Sequence, residues 1–241
     1  MTMHWILTCM ALALQATSAL AARTYTIVAF GDSTTAPRGP VQTYADILQK
    51  ALPEKGIEVK VVNAGIPGNS TTDARARFDK DVLGSKPDLV IIQFGGNDST
   101  VDVYKDPPAT ALRVTREQYA SNLQYLVKAL KERNIRVILM TPVPQRWTPQ
   151  LKQLYGKVPY QLDSLDGLNV LLKDYAEIVR QIARKDKVAM VDVYAKFESY
   201  DKKTGKSMED LLLDGMHPNN DGHSLIASLL LPKVINSLRG D

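Results

Sequence analysis

Tyr25-Thr26-Ile27-Val28-Ala29-Phe30-Gly31-Asp32-Ser33 reads as a strand that delivers a serine to its carboxyl end. Residues 25–30 are apolar or β-branched, as strand residues are. Gly31 then allows a sharp turn, which sets the Ser33 hydroxyl at the edge where open α/β sheets bind ligands. A serine in that place is either a nucleophile or the cap of the next helix. The tripeptide Gly31-Asp32-Ser33 does not decide between them by itself.

Downstream, helix-like and strand-like patterns alternate, the mark of crossover units and a mainly parallel sheet. Residues 44–52 read as an amphipathic helix, 58–63 as a second strand, 72–78 as a short helix and 89–94 as a third strand. That third run is apolar on both faces, as a central parallel strand should be. In 115–133, Tyr119, Leu123, Leu126, Val127 and Leu130 recur at steps of one helical turn. Thr115 with Gln118 makes a capping-box start, and Asn134 a stop. A fourth strand follows at 136–140, a helix at 165–184, a fifth strand at 188–193 and a last helix at 221–238. Five strands with helices between them predict a three-layer α/β/α sandwich.

Two stretches lack this periodicity, 98–114 with Pro107-Pro108 and 141–161 with Pro142, Pro144, Pro149 and Pro159. Both follow strand ends, so they are candidate walls of a substrate site, or surface loops that touch no ligand. The second carries Arg146, Trp147 and Tyr155, side chains able to stack on or hydrogen-bond a sugar.

The amino-terminal 21 residues form a separate unit by composition. From Trp5 to Ala22 the chain is almost wholly apolar or small, and no charged side chain precedes Arg23. This predicts a signal peptide cleaved after Ala21, with small residues at Ala19 and Ala21, and a periplasmic or secreted product. An uncleaved membrane anchor is the alternative, although the stretch is short for a span. The one cysteine, Cys9, lies inside the signal, which removes Cys nucleophiles, Cys-ligated zinc and iron–sulfur sites from a mature chain. Residues 22–241 then make one domain, with no repeat or linker to divide it. In 241 residues, 30 basic and 26 acidic side chains are interspersed, giving +4 and no block of the kind that binds nucleic acid.

A serine needs a base to become a nucleophile. Of three histidines, His4 lies in the signal and His223 inside the last helix, where a structural role is expected. His217 follows Asp214 by three residues in Asp214-Gly215-Met216-His217-Pro218. One turn then supplies both side chains, the carboxylate accepting from Nδ1 while Nε2 faces outward. Donors for a developing oxyanion can come from two further loops. Gly95-Gly96-Asn97-Asp98 follows the third strand and offers the Asn97 amide. Asn63-Ala64-Gly65-Ile66-Pro67-Gly68-Asn69 follows the second and offers the N–H of Gly68, with Gly65 as the other possibility. Ordinary turn chemistry uses the same residues.

Taken together, Ser33, Gly68, Asn97 and His217 fall in four segments in that order. The chain resembles the SGNH hydrolase superfamily, the GDSL esterases and lipases, whose four blocks are named for those residues. Thr34 stands where the family's first block commonly has leucine. The resemblance implies a flavodoxin-like sandwich with a five-stranded parallel sheet and ester hydrolysis through an acyl-enzyme. It implies Ser33, Asp214 and His217 as the triad, with Ser33, Gly68 and Asn97 around the oxyanion and no metal or organic cofactor. Within that family the polar, aromatic loops point to a carbohydrate O-acetyl ester. A lysophospholipase, short-chain lipase or arylesterase is the alternative, and a carbohydrate-binding protein without catalysis is the alternative of another class.

Overall fold

The computed structural model describes residues 23–240; the expected signal peptide, with His4 and Cys9, lies outside them. The sheet is parallel throughout and ordered β2-β1-β3-β4-β5. Its strands are β1 (Tyr25–Gly31), β2 (Val59–Gly65), β3 (Leu89–Gln93), β4 (Arg136–Met140) and β5 (Ala189–Val191). This is the flavodoxin-like order, in which the chain reverses direction across the sheet between β1 and β3. The register sets Gly31 beside Gly65 on one side and Gln93 on the other, so the three strand ends open onto one crevice.

Strand side chains alternate between two apolar layers, as the period of two requires. Ile27, Ala29, Ile91 and Ile138 join Tyr44 and Leu48 of α1 (Tyr44–Ala51) with Ile226, Leu230 and Val234 of α7 (Asn220–Arg239). Val28, Phe30, Val90, Ile92 and Leu139 face the other way. They pack on Phe78 of α2 (Thr71–Asp81), Leu123 and Leu126 of α3 (Arg116–Lys131), and Val179 and Ile182 of α5 (Leu172–Asp186). The helices begin where side chains satisfy their free N–H groups. Thr43 with Asp46 and Ser70 with Asp73 form reciprocal capping boxes at α1 and α2. Thr115 accepts the Gln118 N–H at 3.2 Å at the start of α3, and Asn134 beyond its end takes a left-handed φ of 56°.

Three elements differ from the sequence expectation. The helix expected over 165–184 begins at Leu172, because 161–169 is a tight loop in which Gly167 packs against the Gln161 carbonyl; a Cβ there would stand 1.7 Å from that oxygen. The fifth strand stops at Val191, since Asp192 caps a short helix α6 (Val193–Glu198) by accepting the Ala195 N–H at 3.1 Å. Within the second proline-rich stretch, Thr148 and Pro149 start another short helix, α4 (Pro149–Tyr155). Among the described residues no helix is long and apolar enough to cross a membrane.

Candidate active site

Ser33 stands one residue beyond the buried Asp32, at the mouth of the crevice. Gly31 is required here by space rather than by an unusual φ: a Cβ would meet Thr35 Oγ1 at 2.1 Å and the Gln93 carbonyl at 2.8 Å. Thr35 in turn bonds Tyr44 Oη at 2.9 Å, which ties the turn after β1 to α1. Asp32 is 2% exposed and accepts the Thr34 N–H at 2.8 Å. Burial pushes its carboxyl up to about 6 against the pull of that bond, and the nearby charge of Asp98 adds to the rise.

His217 Nε2 lies 3.0 Å from Ser33 Oγ, across 184 positions of sequence. On its other side Nδ1 is 2.7 Å from Asp214 Oδ2. The Asp214 Oδ1 oxygen also accepts the N–H groups of Met216, at 3.0 Å, and His217, at 2.9 Å. One carboxylate thus closes the turn and orients the ring. Although burial works against it, bonding to His217 and to these N–H groups holds the Asp214 carboxyl well below the usual carboxylate range. Gly215 sits at φ 84°, and a Cβ would come 2.4 Å from the Arg146 carbonyl, so the turn between acid and base accepts only glycine without strain. Its own carbonyl accepts the Arg146 N–H at 2.8 Å, which fastens the turn to the segment after β4.

Asn97 follows β3 through Gly95, whose φ of 131° and proximity to Tyr119 Oη leave no room for a side chain. One Nδ2 hydrogen of Asn97 goes to the Asn69 carbonyl at 3.0 Å, while Oδ1 accepts from Arg113 Nη1 at 3.0 Å. The buried Asp98 accepts both the N–H and the hydroxyl of Thr71, stitching this loop to the first turn of α2. Burial raises its carboxyl to about 6, against those bonds from Thr71.

The two glycines of the Asn63–Asn69 loop separate clearly. Gly65 ends β2; its N–H goes to Asn63 Oδ1 at 3.0 Å, and a Cβ would stand 2.3 Å from the Ala36 nitrogen. At Gly68, φ 80°, a Cβ would meet nothing within 4 Å, and its N–H has no acceptor among the described residues. Close packing explains the first glycine, and the second offers a free donor.

Ser33, Asn97 and His217 line one cavity of about 320 Å³, open to solvent, with Asp32, Gln93 and Gln145 beside them. Val143 and Met216 supply its apolar wall. A second, equally small cavity adjoins it through Gly96, Gln145 and Met216, and is lined by Ser99, Thr100, Tyr155 and Tyr160. The proline-rich loop contributes Tyr155 to this second cavity. Arg146 does not line the cavity: its side chain is 3% exposed and its guanidinium is held by Asp166 and Asp201. Trp147 gives its indole N–H to the Ser164 carbonyl at 3.0 Å and packs in the loop's own apolar cluster. Both side chains hold the loop together. Gln145 lines the cavity and Arg113 reaches the Asn97 side chain behind it; glutamine and arginine in aperiodic loops carry no distinguishing pattern in the sequence. His223 is buried in α7 and accepts the Tyr44 N–H at 3.2 Å through Nδ1; burial lowers its pKa to about 4. Among the described residues no group of His, Cys, Asp and Glu is placed to hold a metal ion.

The GDSL-like lipase/acylhydrolase family model matches residues 29–225. An acetylxylan esterase of Geobacillus stearothermophilus is 31% identical over 196 residues, covering 81% of this chain and 80% of the enzyme. Its crystal structure superposes with a TM-score of 0.68 over 87% of this chain and 94% of that one, at 28% identity. Solved forms of it include catalytic mutants at one serine, one aspartate and one histidine, the last two three positions apart. A lipoprotein of Bacillus subtilis is 32% identical over 199 residues, 78% of this chain and 77% of its own length. A lipase/acylhydrolase from Enterococcus faecalis superposes with a TM-score of 0.68 at 26% identity, over 87% of this chain and 95% of that one. With the fold and the four loops in place, the chain belongs to the GDSL-like lipase/acylhydrolase family of SGNH hydrolases and is an ester hydrolase.

Proposed function

We propose that the protein is an exported serine esterase that removes acetyl groups from carbohydrate, with Ser33, His217 and Asp214 as its catalytic triad. The single observation that carries the mechanism is the unbroken chain from Ser33 Oγ through His217 to Asp214, at 3.0 and 2.7 Å. In that geometry His217 Nε2 takes the Ser33 proton as Oγ attacks the ester carbonyl, and Asp214 stabilises the imidazolium that forms. The Ser33 N–H, the Gly68 N–H and the remaining Asn97 Nδ2 hydrogen supply the oxyanion donors. His217 then returns its proton to the departing alcohol, leaving an acetyl group on Ser33. Water, deprotonated by the same ring, hydrolyses that acyl-enzyme.

A small acyl group fits the polar cavity, whose floor of Asp32, Gln93 and Gln145 would leave a long alkyl chain against buried polar atoms. Tyr155, and the Ser99 and Thr100 hydroxyls of the adjoining cavity, suit an alcohol rich in hydroxyls. The acetylxylan esterase among the relatives supports the same substrate class. Export rests on the signal-like composition of residues 1–21.

Ser33→Ala should abolish hydrolysis of nitrophenyl acetate while the melting curve stays that of the native chain; normal turnover would sink the triad. A chain-length series from acetate to palmitate, run beside acetylated xylan, tests the substrate. Activity should fall with chain length, and a rise towards the longer esters would point to a lipolytic enzyme.

A further inference from the structure

We propose that Arg113 is a positioning residue for the oxyanion site, and that Asp102 holds it in place. This rests on the reading of Asn97 as an oxyanion donor. A carboxamide can be turned over about its last bond at little steric cost. Turned one way, Asn97 presents N–H to a developing oxyanion; turned the other way it presents a carbonyl oxygen, which repels it. Something must choose between the two.

Arginine is suited to choose, because its guanidinium has five donors and no acceptor. Arg113 Nη1 meets Asn97 Oδ1 at 3.0 Å, and only an oxygen can stand there. With Oδ1 committed, one Nδ2 hydrogen goes to the Asn69 carbonyl at 3.0 Å, and the other is left for the cavity that Ser33 and His217 share. The guanidinium is itself fixed. Its Nε and Nη2 fork around Asp102, at 3.1 and 2.6 Å to Oδ1, and Lys105 Nζ braces the same carboxylate at 2.8 Å. Asp102 has a side chain 7% exposed, and bonding and charge from Arg113 and Lys105 keep its carboxyl low despite burial. The backbone closes the assembly: the Arg113 N–H reaches the Thr100 carbonyl at 2.9 Å and the Val114 N–H the Asp98 carbonyl at 3.1 Å. The aperiodic stretch 98–114 is thus a clamp that returns Arg113 to the residue from which it departed. A cation on Oδ1 also draws electrons from the amide and strengthens its remaining N–H as a donor.

The test is a double-mutant cycle of Arg113→Ala and Asn97→Ala, read as separate kcat and KM values on nitrophenyl acetate. Arg113→Ala alone should lower kcat about 10- to 100-fold, as expected for the loss of one charge-assisted bond, with KM within about twofold. In the Asn97→Ala background the same change should cost less than about twofold, since there is no amide left to orient. Arg113→Lys, which keeps the charge but cannot bridge both partners, should restore part of the loss. It runs the same cycle if Arg113→Ala fails to fold. An undiminished cost in the Asn97→Ala background overturns the proposal, because Arg113 would then act through the fold. A rise in KM at constant kcat also overturns it, in favour of direct contact with the substrate. If Asn97→Ala itself costs less than threefold, it is the oxyanion reading of Asn97 that fails.

Discussion

Replacing Asp214 by asparagine separates the two tasks that its carboxylate performs. Oδ1 accepts the Met216 and His217 N–H groups, and an asparagine oxygen can keep both bonds, so the turn survives. Oδ2 faces His217 Nδ1 at 2.7 Å, and there the substitution puts an NH₂ where an acceptor stood. Oδ1 also lies 3.0 Å from Nδ1 but already accepts two N–H groups, so neutral His217 shifts towards the tautomer that leaves Nδ1 bare and carries its proton on Nε2, which donates to Ser33 rather than accepting from it. Two losses add. The attraction between carboxylate and imidazolium is worth between about 1 kcal/mol in water and about 4 at a protein surface. With the Asp214 side chain 42% exposed, solvent screening brings this to about 2. Turning a charge-assisted bond into a donor facing a donor costs about 2 more. The sum of about 4 kcal/mol predicts a fall in kcat of about 10³ on nitrophenyl acetate. The Asp214→Asn variant should melt within about 1–2 °C of the native protein, whereas Asp214→Ala, which also frees both N–H groups, should melt a few degrees lower. Retention of more than a tenth of native kcat by Asp214→Asn would refute the reasoning, since the histidine would not depend on that carboxylate for its tautomer.

Asn97→Ala should lower kcat by about 10²–10³, the usual worth of one oxyanion donor, read by steady-state kinetics. Gly65→Ala should prevent stable folding, because its Cβ would lie 2.3 Å from the Ala36 nitrogen, while Gly68→Ala meets open space and bears only the strain of φ 80°, about 1 kcal/mol; thermal melts rank the two. Arg146→Ala should lower the melting temperature by several degrees without a selective rise in KM for a sugar ester, since its guanidinium serves Asp166 and Asp201. The pKa of His223 is near 4 when folded against about 6.5 when unfolded, so the unfolded chain binds more protons between those values. That contribution to stability is present above pH 6.5 and lost as the pH falls to 4. His223→Asn keeps an acceptor for the Tyr44 N–H but cannot titrate. In urea melts it should gain on the native protein by up to about 3 kcal/mol across that window, and a constant difference would show that the ring is not held neutral.

What could be read along the chain was what depends on local order. The strands from Tyr25 and Leu89 and the helix through Tyr119 and Leu130 announce themselves by periodicity, because burial repeats with the period of the backbone. The triad could be proposed because Asp214 and His217 share one turn and Ser33 ends a strand, so each piece is a local feature. The closing of 184 positions into a 3.0 Å contact between His217 and Ser33 belongs to the sheet order, which brings the ends of β1 and β3 and the turn before α7 to one edge. Only the tertiary structure could separate Gly65, which packing demands, from Gly68, whose donor is free. It alone turned Arg146 onto Asp166 and Asp201 and brought Arg113 back to Asn97. Arginine, tryptophan and glycine have the same intrinsic chemistry in either place, and what decides their use is which partners surround them once the loops have closed.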